Sequence, residues 1–119
     1  MGDGPAFNLQ EALARVDQDQ EILQMMIELF LEQGPKDLAD IKAAVVGRDA
    51  TAVARSAHRL KGAVLQFCAP SAIAVTAELE QLGKSGDIGG ADAVYDRVEG
   101  ELHRLLAALR TAMSQGLAA

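Results

Sequence analysis

An all-α fold, an up-down four-helix bundle with a short extra helix at the N-terminus, is predicted by three features of this sequence. Apolar residues recur at spacings of three and four along nearly the whole chain, and no run alternates convincingly with a period of two. The hydrophobic half of the composition is largely Ala, Leu and Val, with three Phe, one Tyr and no Trp. Small aliphatic side chains suit closely packed helices better than aromatic-rich strands. The breaks between periodic segments are short, which makes consecutive helices antiparallel neighbours.

The elements follow in order. Asn8, with Glu11 three residues on, has the spacing of a capping box and opens a short helix whose stripe is Leu9, Leu13 and Val16. The Asp-rich stretch from Asp17 to Asp19 starts a second helix, with apolar positions at Ile22, Leu23, Met26, Ile27, Phe30 and Leu31. Gly34-Pro35 should break or kink it, because Pro35 has no amide hydrogen to donate. The pattern resumes at Leu38, Ile41, Val45 and Val46 and stops at Gly47. Asp49 caps a third helix to about Phe67, with Val53, Ala57, Leu60 and Val64 as its buried stripe. Cys68-Ala69-Pro70 reads as a tight corner, with Pro70 in the first turn of a fourth helix. That helix carries Ala72, Val75, Leu79 and Leu82 and ends in a loop from Gly83 to Gly86. The last runs from about Gly90 to Met113, with Val94, Val98, Leu102, Leu105, Leu106 and Leu109 inward. Residues 1–7 are expected to be a flexible lead-in, 8–113 the bundle, and 114–119 a frayed end.

The chain has 119 residues, enough for one domain with its own core. A formal net charge of -6 argues against general nucleic-acid or anionic-membrane binding, since phosphate surfaces attract basic ones. The N-terminus lacks a basic stretch followed by an apolar run, and no segment is apolar for the roughly 18 residues that a membrane helix needs. Cys68 has no internal disulfide partner, which fits a reducing compartment. A cytoplasmic monomer without a membrane segment is expected.

His58 lies one position beyond the buried Ala57, at the edge of an apolar stripe, where one side of the ring can pack and the other can meet solvent. Lys61 and Gly62 follow at three and four residues and share its face. A glycine inside a helix costs roughly 1 kcal/mol relative to alanine. In a chain that uses alanine freely, Gly62 suggests that something needs the space of a Cβ, whether a neighbouring helix or a partner. Arg48, Arg55, Arg59 and Lys61 make residues 48–61 the most basic stretch of an acidic chain. Arg55 and Arg59 could orient a phosphoryl group or an acidic partner, although a solvated face is the usual meaning of such a run. Residues near Leu65 are candidates for an apolar docking surface.

Ala57-His58-Arg59-Leu60-Lys61-Gly62 resembles the A-H-x-L-K-G signature of histidine-containing phosphotransfer (HPt) domains. The likeness extends to the Gly47-Arg48-Asp49 corner, the Glu78–Gly83 segment and Ser85-Gly86-Asp87. One departure is Cys68, where many members of that family have glycine. The resemblance implies that His58 attacks an aspartyl phosphate through a ring nitrogen, usually Nε2, and passes the phosphoryl group to a second aspartate. It implies that Lys61 helps hold phosphoryl oxygens and that Gly62 leaves room for the partner. The partners would be receiver or response-regulator domains and a sensor or hybrid histidine kinase. Mg²⁺ is expected on the receiver, since no acidic cluster here suits it and this chain needs no cofactor of its own.

The corner between the third and fourth helices is centred near Ala69, so residues whose numbers sum to about 138 stand at one height. His58 and Glu80 satisfy this, each about 16 Å from the corner. Glu78 flanks the other edge of the same helix, and periodicity alone does not choose between them. The resemblance favours Glu80 as the hydrogen-bond partner of His58. No Walker A loop is present, and His58 and His103 lack the Glu-x-x-His pattern of a metal-binding bundle. An autonomous kinase is therefore not expected. The competing reading is a helical docking or adaptor bundle that binds signalling partners without phosphotransfer.

Overall fold

The computed structural model describes residues 5–117 and contains no strand among them. Five helices follow one another: α1 (Leu9–Arg15), α2 (Gln20–Val46), α3 (Ala50–Leu65), α4 (Pro70–Ser85) and α5 (Ala91–Ser114), with a 3-10 turn at Ile88–Gly90 before the last. The four long helices pack as a ring, α2 on α3, α3 on α4, α4 on α5 and α5 back on α2. The molecule measures 42 × 29 × 20 Å. Its long axis is that of α2, whose 27 residues span about 40 Å.

Local chemistry sets the helix starts. Asn8, Asp19 and Asp49 each accept a backbone N–H three residues on, from Glu11 at 2.9 Å, Ile22 at 3.1 Å and Ala52 at 3.1 Å. Pro70 occupies the first turn of α4, where its missing N–H costs nothing. The ends depend on left-handed residues. Gly86 ends α4 at φ 78, and Asp87 N–H then closes back on the Leu82 carbonyl at 3.0 Å. After α2 the left-handed residue is Arg48 (φ 55), while Gly47 keeps a right-handed φ of -77. Cys68 takes the same role after α3, at φ 52.

Several expectations need correction. Gly34-Pro35 does not break α2, which continues through Pro35. Packing holds the segment in helix: Gly34 is buried beneath the Phe30 ring, and Phe30 packs on Phe67 at a centroid distance of 5.3 Å. Gly83 is not in a loop but in the last turns of α4, against α3. Ile22 and Val46 are 45 % and 71 % exposed, because α2 carries more apolar residues than one buried face accommodates. The lead-in is folded from at least Ala6, since Ala6 and Phe7 are buried and Asn8 N–H reaches the Cys68 carbonyl at 3.0 Å. At the other end Leu117 is buried as well, closing the end of the core with its N–H on the Ala112 carbonyl. Residues 1–4 and 118–119 lie outside the described residues. The inward stripes of α3 and α5 are buried at every position expected.

Candidate functional site

His58 projects from α3 and Glu80 from α4, at the same height on two antiparallel helices. His58 Nδ1 and Glu80 Oε2 are 2.8 Å apart. The two side chains differ sharply in exposure, 69 % for His58 and 4 % for Glu80. The helices meet closely here because Gly83, one turn beyond Glu80, has no side chain. A Cβ at that position would stand 2.5 Å from the Ala54 nitrogen and 2.8 Å from the Ala50 carbonyl oxygen. Gly83 and Ala54 keep nearly the same register as His58 and Glu80, so the close contact fixes the height at which ring and carboxylate meet.

Three cationic or potentially cationic groups surround the buried carboxylate. Lys61 Nζ is 2.6 Å from Oε1, and Lys84 Nζ is 3.3 Å from Oε2, the oxygen that also meets His58. Burial would raise the pKa of Glu80, but the hydrogen bonds from Lys61, His58 and Lys84, with the attraction of the Lys61 charge, outweigh it. The carboxyl is lowered from 4.5 to about 2. An ionised carboxylate can only accept, so Nδ1 of His58 carries the hydrogen of this bond. In the neutral ring the lone pair is then on Nε2, at the solvent side.

Lys84 was not singled out by the sequence reading. The signal was present, since it follows Glu80 by four residues and so shares its helix face. Lys61 faces the carboxylate rather than open solvent, with 27 % of its side chain exposed. Glu78 turns the other way, to Arg97 at 2.6 Å, which leaves Glu80 alone beside the ring. Beyond its chain neighbours and the backbone of its own helix, no described atom stands within 4 Å of where a Cβ on Gly62 would be, so packing against the rest of the described chain does not require glycine there.

The basic residues have separate fates. Arg59 is held to α2, 3.3 Å from Asp40 and 3.9 Å from the buried Asp37. Arg48 pairs with Asp92 of α5 at 2.9 Å, away from the ring. Arg55 has no such pair among the described residues and borders a recess with His58, Lys84 and Thr51. Leu65 is 41 % exposed. It continues the face of His58 and Gly62, being seven and three residues on. Ile22, Met25 and Leu29 of α2 are exposed at 45 %, 61 % and 67 %. Leu29 and Met26 share a hollow with Ala63 and Gln66 of α3, so an apolar band runs beside the histidine helix. In the sequence Ile22 stood only as one of the apolar positions of this helix, and neither Met25 nor Leu29 was singled out. Among the described residues no three His, Cys, Asp or Glu side chains form a metal-binding group, and no helix is long and apolar enough to cross a membrane.

A small helical bundle that offers an anchored histidine ring to solvent has the form of a phosphotransfer module. A protein-family model described as "Hpt domain" matches residues 25–112, and the chain belongs to that family, whose members are phosphocarrier modules of two-component signalling and not kinases. Among solved structures, the chain is similar to histidine-containing phosphotransfer protein B (HptB) from Pseudomonas aeruginosa PAO1. The TM-score is 0.86 at 20% sequence identity, over 95% of this chain and 98% of that one. At this identity the likeness speaks for the fold. No curated protein sequence matches the chain.

Proposed function

We propose that His58 is the phosphoacceptor, taking a phosphoryl group from an aspartyl-phosphate receiver domain or a histidine kinase and passing it to a response-regulator aspartate. The observation that carries this is the 2.8 Å contact between Nδ1 and a buried, ionised Glu80, which leaves Nε2 as the exposed nucleophile. The Nε2 lone pair forms the bond to phosphorus as the aspartyl oxygen leaves. The positive charge that develops on the ring is balanced by Glu80 through the Nδ1–H bond. Phosphoryl transfer is mostly positioning and charge neutralisation. Lys61 and Lys84 place two positive charges about the ring, and Gly62 leaves the approach to it open. Mg²⁺ belongs with the receiver, and this chain supplies neither a nucleotide site nor kinase activity. The receiver docks on Gly62, Leu65, Arg55 and the apolar band of α2, with Arg59 at the edge. The setting is the bacterial cytoplasm, with the chain acting as a monomer.

The test is incubation with phosphorylated receiver domains. Acid-labile phosphate should appear on the wild-type chain and on His103→Gln, and be absent from a folded His58→Gln. Labelling that persists in His58→Gln would overturn the assignment. A chain that binds receivers yet never takes up phosphate would instead be a docking bundle.

A further inference from the structure

We propose that the cleft between α2 and α5 binds an amphipathic carboxylate, its head group at His103 and Arg110 and its apolar body over Leu38 and Ala39. The cleft has a volume of about 450 Å³, within the range of small-molecule sites. It follows α5 from Tyr95 to Arg110, about 22 Å of helix. In the ring of four long helices the α2–α5 edge is opposite the α3–α4 edge that holds His58 and Glu80. The phosphotransfer site makes no use of it.

The cleft is polarised along its length. α2 and α5 are antiparallel, and the Arg48–Asp92 pair sets their register, so Lys42 lies level with the Tyr95–Glu99 turn while His103 and Arg110 lie towards the other end. Towards the first end the formal charges of the lining offset one another, since Glu99 and Lys42 both border the cleft there. Burial and the nearby charge of Glu99 raise the pKa of the Tyr95 hydroxyl. At the other end His103 and Arg110 are two turns apart on one face of α5, both exposed; Glu99, the one acid that lines the cleft, is one turn before His103 and three turns before Arg110. Neither has a side-chain ion pair or hydrogen bond among the described residues, which leaves the Arg110 guanidinium available to a ligand. On a chain of net charge -6, the fixed positive charge of Arg110, with His103 as a second N–H donor on the same face, is complementary to an anion. The floor beside it is apolar, formed by Leu38 and Leu106, and Ala39 leaves the width that a larger side chain would fill. Charge at one end and an apolar floor leading from it match a molecule with one anionic head and a hydrocarbon body.

The test is titration of the ¹⁵N-labelled full chain with sodium decanoate below its micelle concentration, read by backbone amide shifts. Saturable shifts confined to residues 35–42 and 95–110 are expected. Arg110→Glu should weaken binding by about tenfold or more by reversing the charge at the head group. Ala39→Trp should do the same by filling the cleft. Both variants should keep the dispersed amide spectrum of the wild type, and if Ala39→Trp does not, Ala39→Leu replaces it. Decyltrimethylammonium, with the same tail and the opposite charge, should produce none of these shifts. Shifts scattered over the surface, decanoate binding unchanged in Arg110→Glu, or equal binding of the cationic amphiphile would each overturn the proposal.

Discussion

Glu80 is almost wholly enclosed, yet it faces His58 at 2.8 Å, Lys61 at 2.6 Å and Lys84 at 3.3 Å. A buried carboxylate without such partners would be expelled or protonated. With them it becomes a fixed negative charge beneath an exposed ring, and it determines which ring nitrogen carries the proton. Glu80→Ala is expected to release the ring from the Nδ1–H tautomer. Phosphoryl uptake should slow by roughly ten- to a hundredfold, the range for loss of one charge-assisted hydrogen bond. Long-range ¹⁵N correlation spectra of the imidazole report the tautomer. Glu78→Ala, which removes only the partner of Arg97, should change neither. Equal tautomer populations in wild type and Glu80→Ala would remove Glu80 from the mechanism.

The same carboxylate makes stability depend on pH in a defined window. Its folded pKa, about 2, lies below the ordinary value of 4.5. A depressed carboxyl contributes stability that is fully present above about 4.5 and is lost as pH falls through about 2. His58 and Lys84 are well exposed, so solvent screens part of the interaction and the contribution is on the order of 2 kcal/mol. Urea unfolding of wild type and Glu80→Gln should differ by about that amount at pH 6, and the curves should converge towards pH 2. A constant gap would mean that the carboxylate charge is not what the cluster stabilises.

How much of this was legible in the sequence depends on the kind of contact. The helix starts were legible because Asn8, Asp19 and Asp49 act on amides three residues away. The His58–Glu80 register was legible because one short corner links two straight helices, and counting from Ala69 aligns them. The choice between Glu80 and Glu78 was not, since both flank the α4 stripe. It is decided by Arg97 of α5, which draws Glu78 away. The continuity of α2 through Pro35 was not legible either, because it depends on the Phe30–Phe67 contact between two helices. Nor was the engagement of Lys61 by Glu80, which needs the depth of the carboxylate as well as its height.

Cys68 occupies a left-handed conformation, φ 52, at the position where the family resemblance favours glycine. A non-glycine residue costs roughly 1–2 kcal/mol there, and glycine returns part of that gain through its greater freedom in the unfolded chain. Cys68→Gly should therefore stabilise the fold by about 0.5–1 kcal/mol, raising Tm by a few degrees. Cys68→Val, branched at Cβ, should lower it. Differential scanning calorimetry of the three proteins checks the order, and a lower Tm for Cys68→Gly would show that the thiol's packing outweighs the backbone strain.

Receiver docking should depend more on α2 than on the arginines. Arg59 is already held by Asp40 and Asp37, while Met25 and Leu29 stand exposed beside the histidine helix. Leu29→Glu should weaken binding to a cognate receiver by about tenfold or more, as loss of a central apolar contact does. Arg59→Glu should cost less. Raising salt should weaken the complex modestly through Arg55, because exposed charge pairs are screened. Isothermal titration at two ionic strengths separates these effects. A steep salt dependence with an indifferent Leu29→Glu would move the interface to the basic residues.

Two glycines near the ring should respond in opposite ways. At Gly83 an added Cβ would overlap the α3 backbone at Ala54 and Ala50, and backbone cannot swing aside as a flexible side chain can. Gly83→Ala should part α3 from α4, destabilise the fold by about 1–3 kcal/mol, and lengthen the Glu80–His58 contact, so that stability and uptake fall together. At Gly62 the space is open, and the residue is exposed within a helix. Gly62→Ala should therefore stabilise by up to about 1 kcal/mol. Gly62→Gln, which projects into the approach to Nε2, should slow transfer from a receiver while the fold stays at least as stable as wild type. The informative readout is the sign of the two effects in one protein. A Gly62→Gln variant with wild-type transfer would show that the partner does not use that space, whereas one that unfolds would show that the glycine serves packing.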